Sequence, residues 1–132
     1  MFDFNNQVIS SLFCSAIEGG STYWSSMVRP LPPYKSFTRL IIDKKESGEL
    51  NYNDDGVYFP NDVMVYGFEI TEFLGEALEK KTNVTPDMIK AAIELMKTDY
   101  PKNYEDVVEG NDDACTGDVF LQLCTFGGVV YG

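Results

Sequence analysis

The sequence predicts an α+β fold, with about four to five helices packed on a small two- to three-stranded antiparallel sheet. Three observations predict it. Apolar residues recur at helical spacing in 4–18 and again through the C-terminal half. Two β-branched and aromatic runs, 38–43 and 63–70, have strand composition. Between those runs lie the turn signals Ser47-Gly48 and Asp55-Gly56, which favour antiparallel pairing. A chain of 132 residues that is 44% hydrophobic is large enough for one core without disulfides or metal, so residues 1–132 are read as a single domain.

In chain order, Val8/Ile9, Leu12/Phe13 and Ala16/Ile17 form one apolar stripe, which predicts a helix over 4–18 ended by Gly19-Gly20. Ser21 is positioned to cap a short helical turn through Tyr23, Trp24 and Met27. Pro30-Leu31-Pro32-Pro33 reads as an extended connector. The strands 38–43 and 63–70 follow, with a short third one at Val57–Phe59. Thr71 is expected to cap a helix to about Lys81 with Phe73, Leu74, Ala77 and Leu78 inward. Thr85-Pro86-Asp87 is a strong helix start, leading to about Asp99 with Ile89, Ala92, Ile93 and Met96 inward. Pro101 opens a short helix that Gly110 closes. The last helix runs from about Asp112 to Phe126; its apolar positions nearly encircle it, which marks it as the central core helix.

Composition excludes several chemistries. The chain has no histidine, so it lacks the commonest general base and metal ligand, and a Ser-His-Asp or Cys-His unit cannot be built from it. Cys14, Cys115 and Cys124 form no CxxC pair and read as buried thiols; Cys115 and Cys124 fall on opposite sides of a helix. No P-loop or GxGxxG motif occurs, and no cofactor or metal is expected. No run approaches the roughly 20 apolar residues of a membrane span, and Met1–Gln7 lacks the positive charge of a signal peptide. The expected location is the cytoplasm of a bacterial host cell.

The formal net charge is -11, and it is unevenly spread. Residues 1–42 carry two acids against three bases, whereas residues 43–132 carry 19 acids against seven bases. Nucleic-acid phosphates and anionic membranes would be repelled, and a basic protein surface attracted. The densest stretch holds Asp99, Glu105, Asp106, Glu109, Asp112, Asp113 and Asp118 against Lys102 alone. Carboxylates so arranged can imitate nucleic-acid phosphates, or they can be a solvated helix face with acids at helix N-termini. A second patch comprises Glu46, Glu49, Asp54 and Asp55. Asn51, Asn53, Asp55, Gly56 and Asp62 match a calcium-loop spacing, but with Asn first and Asp last, and a hairpin turn accounts for them.

Glu18-Gly19-Gly20-Ser21-Thr22-Tyr23-Trp24 concentrates a carboxylate, two glycines and the only Trp of the chain in one turn. Glu18, Gly19, Gly20, Tyr23 and Trp24 could line a ligand pocket with an aromatic wall. Equally, the glycines could form the helix cap while Trp24 fills the core.

That turn, together with Asp118-Val119-Phe120-Leu121-Gln122-Leu123, Phe126-Gly127 and Val130-Tyr131-Gly132, resembles a group of small uncharacterised bacteriophage and prophage proteins. These pair an EGG-x-x-YW-like turn with an AD-V-x-x-Q…FG…YG-like ending; Gly117 stands where they usually carry Ala. The resemblance implies a non-enzymatic phage or mobile-element protein that binds and inhibits a host defence or nucleic-acid-processing protein, of the anti-CRISPR or anti-restriction type. Two alternatives are a module that sequesters a signalling nucleotide near Tyr23 and Trp24, and a structural or accessory phage protein.

Overall fold

The computed structural model describes residues 4–49, 64–76 and 78–132. Five helices pack on a three-stranded antiparallel sheet, an α+β arrangement. The first helix, α1 (Asn6–Ser15), is capped by Asn5, whose side chain accepts from Val8 N at 3.0 Å. It buries Ile9, Leu12 and Phe13, the predicted stripe. It then widens into one π-helical turn, Ala16–Gly20, closed by Ser21 N donating to the Ala16 carbonyl at 2.8 Å.

The expected helical turn at 21–27 is instead a tight turn followed by β1 (Ser25–Pro30). Two bonds explain the difference. The Ser21 hydroxyl is committed to a distant carboxylate rather than to its own backbone, and the Trp24 carbonyl accepts from Phe73 N at 2.9 Å. The expected strand at 38–43 is likewise a helix, α2 (Phe37–Glu46). Ser36 caps it by accepting from Arg39 N at 3.2 Å, Arg39 pairs with Asp43 at 3.2 Å one turn on, and Lys44 and Lys45 occupy its last turn. Only Leu40 is fully buried there, so β-branched composition had no sheet to enter.

The helix expected at 71–81 is also replaced, here by a hairpin. The chain forms a 3₁₀ turn (Met64–Tyr66), then β2 (Phe68–Gly75) and β3 (Leu78–Val84), an antiparallel hairpin. Phe68, Ile70 and Glu72 alternate inward with strand period, and Glu72 sits opposite Lys80, a favourable cross-strand pair. The apolar stripe Phe73, Leu74 and Leu78 would have needed a core to face; here all three are exposed at the hairpin tip. Ala77 lies outside the described residues, as does the possible strand Val57–Phe59. In the sheet β2 is central, paired with β1 on one side and β3 on the other.

The C-terminal half follows expectation. The helices are α3 (Pro86–Asp99), α4 (Pro101–Val108) and α5 (Ala114–Phe126). Thr85 and Asp113 cap α3 and α5, accepting from Met88 N and Thr116 N. Gly127 ends α5 in the left-handed conformation, with φ 74°. The central helix is α5, packed against α1, α3 and α4, with Phe120, Leu121, Leu123 and Cys124 buried. Phe13 joins helices to sheet: its ring lies 5.2 Å from Phe68 edge-on and 5.3 Å from Phe120. Of the three thiols expected to be buried only Cys124 is; Cys14 is half-buried, and Cys115, on the other side of α5, is exposed. Among the described residues, no helix is long and apolar enough to cross a membrane.

Candidate functional site

The two ends of the chain meet at Asp118. This residue sits in the first half of α5, 8% exposed, and its carboxylate accepts four hydrogen bonds. Oδ1 accepts from Ser21 Oγ at 2.8 Å and Trp24 Nε1 at 2.7 Å. Oδ2 accepts from the Tyr23 hydroxyl at 2.6 Å and Gln122 Nε2 at 3.1 Å. One helical turn on, Gln122 extends the network to the tail. Its Nε2 donates to the Tyr131 carbonyl at 2.9 Å, and its Oε1 accepts from Val130 N and Tyr131 N, both at 2.8 Å. The Tyr131 ring stacks on Trp24, centroids 5.5 Å apart and planes within 7°, and its hydroxyl donates to Glu72 on β2.

Glycines permit this closeness. A Cβ on Gly20 would collide with the Ala114 carbonyl oxygen, and a Cβ on Gly117 would come within 2.7 Å of the Leu12 carbonyl oxygen. The π turn and α1 therefore lie directly on the first turns of α5. By contrast, Gly19 has open space at its Cβ position, and Glu18 is exposed.

The structure supports the joint reading of the Glu18–Trp24 turn over an aromatic wall. Trp24 is 1% exposed and fills the core, so it cannot line an open site. Only Tyr23 shows its ring, at 55% exposure. A cavity of about 380 Å³ beside it is lined by Tyr23, Cys115, Val119, Val129 and Tyr131, with Asp118 and Gln122 at its base. Among the described residues no cation borders this cavity, and the carboxylate already accepts four hydrogen bonds. A phosphate-bearing ligand has nothing to hold it there. Arg29 and Lys35 border a different cavity, and Arg39 pairs with Asp43.

The Tyr23 phenol is pushed up from 10.0 to about 12, first by burial of its hydroxyl, then by the hydrogen bond and charge of Asp118. The fold thus favours the neutral phenol. Its contribution to stability is complete below the unfolded pKa near 10 and is lost as pH climbs through about 12. Alkaline titration of phenol absorbance should show a late-ionising tyrosine that Tyr23→Phe removes. Identical late transitions in the two proteins would mean that the hydroxyl is not held by Asp118.

The acidic segment divides by role. Asp118 faces inward and leaves the surface strip altogether, and Asp113 serves as the α5 cap. Asp99, Glu105 and Glu109 are exposed, with Asp106 and Asp112 half-buried beside them. Asp99 is the last residue of α3, Asp106 lies in the last turn of α4, and Glu109 follows that helix as its cap. Helix C-termini carry partial negative charge, so Asp106 and Glu109 cost about 0.3–1 kcal/mol each rather than stabilising, whereas Asp99 directly precedes the N-cap of α4, whose positive end offsets the cost. Among the described residues none of these carboxylates is in an ion pair, whereas Arg39–Asp43 and Lys44–Glu49 pair in α2 and the turn after it. Glu109 and Asp112 also border a groove of about 450 Å³ between α1 and the end of α4, with Val8, Val107 and Val108 along it.

Of the second acidic patch, only Glu46 and Glu49 lie among the described residues. Glu46 is exposed at the end of α2, while Glu49 is neutralised by Lys44 at 3.2 Å. Asp54 and Asp55, and with them the calcium-loop spacing Asn51–Asp62, lie outside the described residues. Among the described residues no cluster of acids and thiols could hold a metal ion. Sequence reading missed Gln122, Tyr131 and Glu72 as members of the Asp118 network. The available signal was a Gln four residues after an Asp in an otherwise apolar helix, two polar side chains on one buried face.

Comparison of the chain with protein-family models, curated proteins and solved structures finds no match.

Proposed function

We propose that the protein acts by binding another protein, with Asp99, Glu105, Asp106, Glu109 and Asp112 docking on a Lys/Arg-rich surface. The observation that carries this reading is the placement of the unpaired acids Glu105, Asp106 and Glu109 at the C-terminal end of α4, where the helix dipole opposes them. Solubility alone would be served by acids elsewhere on these helices at no such cost. The groove beside Glu109 and Asp112 suits the aliphatic stem of a Lys or Arg whose charge reaches the carboxylates. Carboxylates of this kind can occupy a channel built for nucleic-acid phosphates.

The partner class implied by the two end motifs is a host defence or nucleic-acid-processing protein, inhibited by occupancy of its basic site. On this reading the protein is a non-enzymatic inhibitor encoded by a phage or mobile element. The Asp118 network then serves to hold the first turns of α5 in place.

The test is a tagged protein used to isolate its partner, followed by affinity measurement with Asp99→Asn, Glu105→Gln, Glu109→Gln and Asp112→Asn combined. The expected loss is about tenfold or more, from removal of several charges at a desolvated contact. Thermal stability should be unchanged or slightly raised, because the dipole conflict is relieved. A folded variant that binds as tightly as the wild type would overturn the proposal.

A further inference from the structure

Strand β3 lies at one side of the sheet, and among the described residues no main-chain hydrogen bond reaches its outer edge. One bond elsewhere in the sheet fixes which groups line that edge. Phe73 N donates to the Trp24 carbonyl, so the main-chain groups of Phe73 point to β1. Direction alternates along a strand, so those of Glu72 and Ile70 point to β3. Their partners Lys80 and Thr82 complete that ladder, which leaves the N–H and C=O groups of Glu79, Lys81 and Asn83 facing outward. Leu78, Glu79, Lys80, Lys81 and Asn83 are exposed, Leu78 at 61%, whereas Val84 is buried and ends the accessible stretch.

An open strand edge is a template for another strand unless charge, proline or a bulge blocks it. The other edge strand, β1, is blocked: it is bulged between Ser25 and Val28, ends in Pro30 and is contacted by α2. On β3 the charges are of mixed sign, Glu79 against Lys80 and Lys81. Antiparallel pairing with a second β3 forms hydrogen bonds only where outward-facing residues meet. Registers with Glu79 against Glu79, or Lys81 against Lys81, set like charges directly opposite each other. A register with Lys81 against Asn83 would carry Lys80 onto the buried Val84. The remaining register sets Glu79 against Lys81, and two-fold symmetry repeats that opposite-charge pair on both sides of the axis. Leu78 then meets Thr82, and the axis passes between the two Lys80 side chains, each with Glu72 opposite it on its own β2.

We infer that β3 pairs antiparallel with β3 of a second copy of this chain, Glu79 opposite Lys81, so that two three-stranded sheets become one. The net charge of -11 opposes most contacts between copies, so self-association needs a surface that is locally balanced. Leu78–Val84 holds one acid and two bases and meets that need; the acids of α3 and α4 would repel their own copies. Leu78 gains cover from Thr82 and from the aliphatic stem of Lys80 across the axis. The contact is short, so the association is weak and reversible. It is independent of the docking face on α3 and α4 and shares no residue with it.

The experiment is sedimentation equilibrium of the whole purified chain from about 10 μM to about 1 mM, in about 0.15 M salt to screen long-range repulsion. A monomer–dimer equilibrium is expected. Glu79→Lys or Lys81→Glu alone should weaken dimerisation about tenfold or more, because each sets like charges opposite each other at both symmetric positions. The two combined should restore it to within about threefold of the wild type, because the pair is only reversed. Lys81→Pro should abolish it, since it removes an outward N–H that β2 does not use. Lys90→Gln, on α3, should leave it unchanged. Circular dichroism on each variant confirms folding, and in the wild type the amide protons of Glu79 and Lys81 should exchange more slowly as concentration rises. A chain that stays monomeric at about 1 mM would overturn the inference. So would a double variant no better than the single ones, or a dimer that persists in a folded Lys81→Pro protein. The acid-to-amide variant should still dimerise, so loss of partner docking and loss of this contact read out separately.

Discussion

Asp118→Ala is expected to lower the free energy of unfolding by about 3–5 kcal/mol, from donors left without an acceptor. The substitution removes the acceptor of two buried donors, Ser21 Oγ and Trp24 Nε1, and the nearer of the two acceptors of the Tyr23 hydroxyl, which keeps only the Tyr131 carbonyl at 3.3 Å. An orphaned buried donor costs about 1–3 kcal/mol, and bonds to a charged acceptor lie at the upper end. Domains of this size have only about 5–15 kcal/mol in total, so the variant approaches the limit of folding. Asp118→Asn should cost less. Its amide oxygen can still accept from Ser21 and Trp24, but its amide nitrogen would face Gln122 Nε2, donor against donor. Urea unfolding followed by Trp24 fluorescence gives the answer through the midpoint at constant slope. A loss under about 1 kcal/mol for the alanine variant would show that the network is ornamental to the fold.

Gly20→Ala is expected to cost about 3 kcal/mol or more, at or beyond the upper end for overpacking. Its methyl would meet the carbonyl oxygen of Ala114, which is backbone and cannot rotate away. Either the π turn or the first turn of α5 must move, and both hold partners in the Asp118 network. Gly19→Ala is the matched control: its Cβ position is open and its φ is not positive, so a change within about 0.5 kcal/mol is expected. Gly117→Ala falls between, with 2.7 Å to the Leu12 carbonyl oxygen and 2.9 Å to Ser15 Cβ. An Ala at position 117 would therefore require α1 to sit further from α5. Equal effects at Gly19 and Gly20 would refute the close approach.

The fold class and the C-terminal helices were legible because their signals are local and agree with one another. Thr85-Pro86-Asp87 and Gly127 mark helix ends by backbone chemistry alone, and the apolar circumference of α5 marks the core. The segments 38–43 and 71–81 misled for opposite reasons. Leu40, Ile41 and Ile42 have strand composition, yet Ser36, the Arg39–Asp43 pair and the terminal lysines had already specified a helix. Phe73, Leu74 and Leu78 have helix spacing, yet the positive φ of Gly75 turns the chain back and leaves them in solvent.

The site was legible only as two separate motifs. That Ser21, Tyr23 and Trp24 meet Asp118, more than ninety residues away, is tertiary information that no spacing carries. The same holds for the acids. The sequence showed their number, whereas only the structure separates the buried Asp118 and the capping Asp113 from Asp99 and Glu109 at helix C-termini.

The most direct check on the docking surface is the dissociation constant of the isolated complex as a function of salt. If uncompensated carboxylates meet lysines and arginines, affinity should fall about tenfold or more between about 50 mM and about 200 mM salt, linearly in the logarithms. It should fall far less steeply for the acid-to-amide variant. An affinity that is flat or rises across that range would contradict the electrostatic account and point to an apolar interface elsewhere on the molecule.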